Sequence, residues 1–99
     1  MKTIEILREF KKLSEIEKLR LTIHLLESNY LHLDIDKDKA IQKLEERLIE
    51  LDNSYATTIT NFSKYTYLTF LSAQFMELSE YDKNTLIIEM LEEKHLLIL

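Results

Sequence analysis

The sequence predicts an all-α protein, a single helical domain over residues 1–99 that forms a bundle of four or five helices. Glycine and proline are both absent, which excludes tight β-hairpins and glycine-rich phosphate loops. Apolar residues recur at intervals of three and four, the period of one face of an α-helix. Two Leu-Ser segments, at 13–14 and 78–79, are each followed by acidic residues that are typical of a helix start.

The first two helices are predicted near the N-terminal end of the chain. Ile4, Leu7 and Phe10 have helical spacing and predict a helix over about 3–12. Ser14 and Glu17 then form a capping box, in which the two side chains satisfy free backbone N–H groups at the start of the second helix. The apolar stripe of this second helix consists of Ile16, Leu19, Ile23, Leu26 and Tyr30, widened by Leu21 and Leu25.

The middle of the chain begins with an alternation of apolar and polar residues over 31–36, which is typical of a short extended segment. Asp34 or Asp36 can cap the helix that follows, whose apolar stripe consists of Ala40, Ile41, Leu44, Leu48, Leu51 and Tyr55. Between Asp52 and Glu77 the only charged residue is Lys64, which predicts a central helix buried in the core rather than a membrane span. One helix over 37–77 and two helices with a break near 53–60 both fit this pattern.

The last helix is predicted over about 80–94, with Ser79 as its cap and Asp82 in the position of Glu17. A shift of 65 residues aligns 10–33 with 75–98 and gives ten identities in 24 positions. We interpret this as an internal repeat of two helix-turn-helix ends, with convergence of two capped amphipathic helices as the alternative. Each half ends in a tail of extended type, 31–35 and 96–99, and the two tails fit a minor two-stranded ribbon.

The residues that carry chemistry predict neither an enzyme nor a cofactor or metal site. Cysteine is absent, so disulfides and thiolate sites are excluded. A calcium loop would use Asp34, Asp36, Asp38 and Glu45, but Lys39 occupies the position that normally requires glycine. We therefore interpret these acids as helix-start residues. The histidines lie far apart in the sequence, at His24, His32 and His95, so they do not form the closely spaced pair that a zinc site normally uses.

The charge distribution favours a soluble, acidic protein, and the absence of cysteine and of a signal-peptide pattern favours a cytoplasmic one. Net charge is −5, but residues 1–20 hold six basic and four acidic side chains, and the remainder holds seven and fourteen. An acidic body is a poor match for a phosphate backbone, so nucleic acid is an unfavoured partner. Charges interrupt the apolar residues at the N-terminus, which therefore does not resemble a signal peptide.

Two groups of apolar residues are candidates for binding a partner. Tyr65, Tyr67 and Phe70 have helical spacing in the nearly uncharged segment, which favours packing in the core; the alternative is that they anchor a partner or stack on bases. The C-terminal apolar residues cannot all face inward if the tail is extended, so the fold, a second copy or another protein must cover some of them. The candidate partner-binding residues are Tyr67, Phe70, Leu96, Leu97, Ile98 and Leu99, and the tail predicts a homodimer.

The segment 4–28, IEILREFKKLSEIEKLRLTIHLLES, resembles the N-terminal helical hairpin of small bacterial addiction-module antitoxins. This resemblance implies that the protein neutralises a partner toxin by direct contact. The segment 85–99 resembles the recognition helix and first wing of winged-helix modules, although the helix is acidic. The expected function is a non-catalytic helical protein–protein interaction module, a small inhibitor, antitoxin-like protein or adaptor. The alternative is a winged-helix-like nucleic-acid-binding transcriptional regulator.

Overall fold

A computed structural model describes residues 2–28, 36–51 and 66–92, and all-α structure is confirmed there. Five helices lie in these ranges: α1 Thr3–Lys11, α2 Glu15–Ser28, α3 Lys37–Leu51, α4 Thr66–Met76 and α5 Glu80–Leu91. No strand lies among the described residues. The predicted ribbon of 31–35 with 96–99, and the predicted break near 53–60, lie outside them.

The starts of α2, α3 and α5 carry the capping side chains that the sequence predicts. The Ser14 and Glu17 capping box is confirmed, because Glu17 N–H donates to Ser14 Oγ and Ser14 N–H donates to Glu17 Oε1, each at 3.2 Å. Asp36 Oδ1 accepts from Lys39 N–H at 3.2 Å at the start of α3. Ser79 Oγ accepts from the backbone N–H three residues later, also at 3.2 Å. These contacts satisfy backbone donors that a helix start leaves without an internal partner.

The central helix of the bundle is α2, because it contacts α3, α4 and α5. Its buried side chains extend almost around its circumference: Leu19, Arg20, Leu21, Thr22, Ile23, Leu25 and Leu26. The Thr22 hydroxyl donates to the Lys18 carbonyl oxygen at 2.7 Å, so this buried polar group is satisfied within the helix. The prediction that the uncharged segment before Glu77 forms the central helix is therefore wrong for its described part, α4.

The helices form two pairs, α1 with α2 and α4 with α5, and the two pairs pack against each other. Each helix of one pair packs against both helices of the other pair, while the two helices within a pair make far fewer contacts with each other. Phe10 and Phe75 are fully buried in the core that the pairs share. Helix α3 packs against α2 through the buried side chains of Ala40, Leu44 and Leu48.

The two pairs correspond at the offset of 65 residues that the sequence alignment uses. Helices α1 and α4 end at Lys11 and Met76, and helices α2 and α5 begin at Glu15 and Glu80. In the turns between them, Leu13 N–H donates to the Phe10 carbonyl at 3.0 Å, and the equivalent bond from Leu78 to Phe75 is 3.1 Å. The two turns therefore match residue by residue, while common ancestry of the two halves stays a prediction.

Candidate protein-binding surface

Helix α4 has one buried side and one exposed side, and neither carries a formal charge. The buried side chains are Leu68, Leu71, Ser72 and Phe75. On the exposed side, four residues spaced three apart cross the helix diagonally: Tyr67, Phe70, Ala73 and Met76. We call these four residues the α4 surface. Tyr67 is 39% exposed, Phe70 46% and Met76 53%.

The expectation that Tyr67 and Phe70 pack in the core is therefore wrong. The physical reason is that α4 lies at the outside of the bundle, against α1 and α2 on one side, so the core takes only the residues on that side. The partner-binding prediction for these two residues requires exposure, which they have. Tyr65 and the candidate tail Leu96–Leu99 lie outside the described residues, so their partner-binding prediction stays a prediction.

The equivalent positions of α1 carry charged side chains instead of apolar ones. At the offset of 65 residues, the counterparts of the α4 surface are Lys2, Glu5, Arg8 and Lys11, and all four are exposed. Two buried positions correspond as well, since Ile6 matches Leu71 and Phe10 matches Phe75, all fully buried. The fold therefore accommodates charge at the N-cap and at three exposed positions of a packed helix, and the apolar residues of the α4 surface are not required by its own core.

The aromatic pair on the α4 surface is held in place by a contact with α1. The Tyr67 hydroxyl donates to Glu9 Oε1 at 2.6 Å, and Glu9 Oε2 lies 2.9 Å from Lys12 Nζ. The Tyr67 and Phe70 rings are stacked, with centroids 6.2 Å apart and planes inclined by 12°. Stacking and a charge-assisted hydrogen bond together restrict the rotamers of the pair.

The protonation states of this contact follow from the hydrogen bond. It raises the pKa of Tyr67 to about 12, because a tyrosinate could not donate to the carboxylate. The same bond, followed by the contact with Lys12, lowers the pKa of Glu9. A protonated phenol beside an ionised carboxylate is therefore the state at neutral pH.

No pattern in the sequence indicates the role of Glu9, because it lies 58 residues from Tyr67 along the chain. The sequence of α4 alone does not indicate that Met76 is exposed, because the neighbouring buried residues Leu71 and Phe75 are equally apolar. The offset comparison with α1 is the signal that identifies it, since Lys11 occupies the matching exposed position.

The predicted helix-start role of the acids near α3 holds for Asp36, which caps the helix. Asp38 is exposed in the first turn, and Glu45 lies two turns further along. In the part of the chain that the structure describes, no three His, Asp or Glu side chains are grouped to hold a metal ion. Asp34, His32 and His95 lie outside the described residues.

His24 is partly buried on α2, and burial is the main cause that lowers its pKa. Glu27 acts in the opposite direction, because its negative charge favours the imidazolium form. His24 is therefore more strongly neutral at pH 7 than an exposed histidine.

Comparison with protein-family models, curated proteins and solved structures found no match to this chain. Among the described residues, no helix has both the length and the apolar character needed to cross a membrane.

Proposed function

We propose that this protein is a non-catalytic helical interaction module that binds a partner protein through the α4 surface. The observation that carries the proposal is the contrast between α4 and α1 at matched exposed positions. Three charged side chains of α1 and its charged N-cap residue correspond to Tyr67, Phe70, Ala73 and Met76 of α4. Since contiguous exposed apolar residues on a small protein commonly mark an interaction site, contact with a partner explains the contrast.

The composition and order of the α4 surface suit a protein interface. Tyrosine, phenylalanine and methionine are enriched at the centres of such interfaces, where charged residues are depleted. Binding costs less conformational entropy when the anchoring side chains are already held in place. Tyr67 meets that condition through its bond to Glu9 and its stacking on Phe70.

The proposed biological class is a small cytoplasmic inhibitor, antitoxin-like protein or adaptor. The resemblance of α1 and α2 to antitoxin hairpins supports the antitoxin-like form, in which direct contact neutralises a partner. Self-association is a separate prediction that depends on the tail at 96–99, and light scattering of the full chain at tens of micromolar measures it.

The nucleic-acid alternative is not favoured by any contact among the described residues. The exposed side chains of α5 include Glu80 and Glu89, and Glu92 is exposed at its C-cap. Carboxylates on the helix that would enter the major groove repel the phosphate backbone.

Site-directed photocrosslinking in the native cells tests the proposal. A photoreactive phenylalanine analogue replaces Phe70 in the full chain, and the control chain carries it at Glu89, an exposed position on α5. We expect a discrete protein adduct from position 70 that the control does not form. An adduct of twice the chain mass identifies a second copy as the partner.

A matched variant removes the surface while leaving the fold. It replaces Tyr67, Phe70, Ala73 and Met76 by Lys, Glu, Arg and Lys, the residues that α1 carries at the equivalent positions. We expect a wild-type circular dichroism spectrum and loss of the partner from co-purification. A partner that remains bound to this folded variant, equal adducts from positions 70 and 89, or a nuclease-sensitive adduct would contradict the proposal.

A further inference from the structure

Among the described helices, α2 has one packing neighbour more than its counterpart α5. At the offset of 65 residues, the contacts of α2 with α4 and α5 correspond to those of α5 with α1 and α2, so the additional neighbour is α3. Three side chains are buried on α2 but have counterparts on α5 that are not: Leu19, Arg20 and Ile23. Helix α3 therefore covers the side of α2 that carries these residues.

Two charged residues of α2 agree with this position of α3. Glu15 Oε1 lies 3.0 Å from Arg47 Nε of α3. Burial raises the pKa of Glu45 on α3, and the negative charge of Glu27 raises it further, so Glu27 lies near α3. Because Glu27 follows Ile23 by four residues, the two share one side of α2.

The corresponding side of α5 is open to solvent. We call it the α5 outer face, and it consists of Tyr81, Thr85, Ile88 and Glu92. The counterparts on α2 are Ile16, Arg20, Ile23 and Glu27, so an isoleucine and a glutamate are the same on both helices. Ile88 is 43% exposed although its counterpart is buried, and Tyr81 is 77% exposed although its counterpart packs against the core.

The middle of the α5 outer face can pack against an apolar side chain without losing a hydrogen bond. The Thr85 hydroxyl donates to the Tyr81 carbonyl oxygen at 3.0 Å. The hydroxyl is therefore satisfied within the helix, as the hydroxyl of Thr22 is on the buried helix α2. Covering this part of α5 leaves no threonine hydroxyl without a partner.

The charges of α5 select the kind of helix that fits. The charged residues of α5 and its C-cap are Glu80, Asp82, Lys83, Glu89 and Glu92. Lys83 is two residues from both Tyr81 and Thr85 and therefore lies on another side of the helix. A second copy in a symmetric contact would bring carboxylates opposite carboxylates, whereas a basic helix would meet opposite charges.

We propose that the α5 outer face binds a basic amphipathic helix of a partner protein in the arrangement in which α2 binds α3. Helix α3 is the template for the apolar side of that helix, with buried residues spaced four apart: Ala40, Leu44 and Leu48. Apolar side chains of the bound helix pack on Tyr81 and Ile88. A lysine or arginine placed like Arg47 lies beside Glu80, the counterpart of Glu15.

A peptide derived from α3 tests this assignment. The probe is a labelled peptide of residues 36–51 with Glu45→Lys and Glu46→Lys, titrated against the full chain by fluorescence anisotropy. The comparison peptide carries Leu44→Gln and Leu48→Gln in addition, which removes the apolar side and keeps every charge. We expect saturable binding of the first peptide alone, weakened by raising the salt concentration.

Two variants of the full chain with equal charge change locate the binding site. Ile88→Lys should weaken binding at least about tenfold, because it removes an apolar contact and adds a like charge. Ile49→Lys, at a half-exposed isoleucine of α3, should leave binding within about twofold. Tyr81→Ala should also weaken binding about tenfold, and the high exposure of this ring means that its removal spares the core.

Equal weakening by the two lysine variants, equal binding of the two peptides, or no anisotropy change would overturn the assignment to α5. A mass of two chains in sedimentation that Ile88→Lys returns to one would identify a second copy as the occupant instead. The α4 variant with four charged residues should bind the peptide like the wild type. If that variant loses the peptide while remaining folded, the peptide binds the α4 surface and the α5 assignment is wrong. A partner bound to α5 would give photocrosslinks at position 89 that differ in mass from the adduct at position 70, which keeps the two binding sites distinguishable.

Discussion

Replacing Asn84 by leucine should stabilise the protein, because the equivalent position on α2 is occupied by a buried leucine. At the offset of 65 residues Asn84 corresponds to Leu19, which is fully buried on α2. Asn84 is partly buried on α5, and its Oδ1 is buried without a hydrogen-bond partner in the structure. A buried polar atom without a partner costs about 1–3 kcal/mol.

The expected gain follows from two contributions and one cost. Removing the unsatisfied oxygen recovers part of that 1–3 kcal/mol, and burying about half of a leucine side chain adds about 1 kcal/mol. Overpacking opposes both by about 1–3 kcal/mol if the site is tight. We expect a net gain of about 1–2 kcal/mol, which corresponds to a rise in Tm of about 4–16 °C for a domain of this size.

Thermal unfolding followed by circular dichroism, with urea unfolding in parallel, measures this gain. Asn84→Ala is the control, because it removes the amide and improves helix propensity without filling the site. Alanine should raise Tm by a smaller amount than leucine. If Asn84→Ala lowers Tm, the amide has a stabilising partner and the predicted gain is refuted. If only Asn84→Leu lowers Tm, the site is too small to hold a leucine side chain as the Leu19 site does.

The remaining predictions concern the caps and the aromatic pair. Ser14→Ala and Ser79→Ala should each lower the free energy of unfolding by about 1 kcal/mol and Tm by about 4–8 °C. The double variant should lose the sum of the two free energies. A loss of stability at only one site would show that the two turns are not equivalent. Because the pKa of Tyr67 is raised, its contribution to stability is complete below about pH 10 and is lost as the pH rises towards about 12. Tyr67→Phe should therefore remove a tyrosinate absorbance step near pH 12, and Glu9→Gln should move that step to lower pH; an unchanged titration curve would exclude the hydrogen bond. Phe70→Ala should change the free energy of unfolding by less than about 1 kcal/mol, and a loss of several kcal/mol would place the ring in the core.

The helix starts could be predicted from the sequence because each depends on residues a few positions apart. Ser14 and Glu17 satisfy each other's backbone N–H groups within one turn, and Asp36 does the same for α3 with a single side chain. Local chemistry of this kind is visible in a short window of sequence. The end of α1 at Lys11 and the start of α5 at Glu80 agree with the predicted bounds of about 12 and about 80.

The identity of the central helix could not be predicted in this way. Helix α2 contains Glu15, Glu17, Lys18 and Arg20, and yet it is the most surrounded helix. Helix α4 contains no charged residue and is half exposed. Burial depends on how many neighbours a helix has, and those neighbours are distant in sequence. The contact between Tyr67 and Glu9 was hidden for the same reason.

The packing of the two helix pairs explains why the exposed apolar side chains of the α4 surface are evidence about function. Because α1 and α4 each pack against both helices of the opposite pair, the two helices meet the same kind of structural demand. Their buried positions respond alike, with Ile6 and Phe10 on one and Leu71 and Phe75 on the other. Their exposed positions differ at the α4 surface, whose counterparts are charged, while the exposed Ile4 of α1 corresponds to the exposed Thr69 of α4. Stability accounts for the first agreement and does not require the apolar side chains of the α4 surface, which is why the proposed function assigns them to contact with a partner protein.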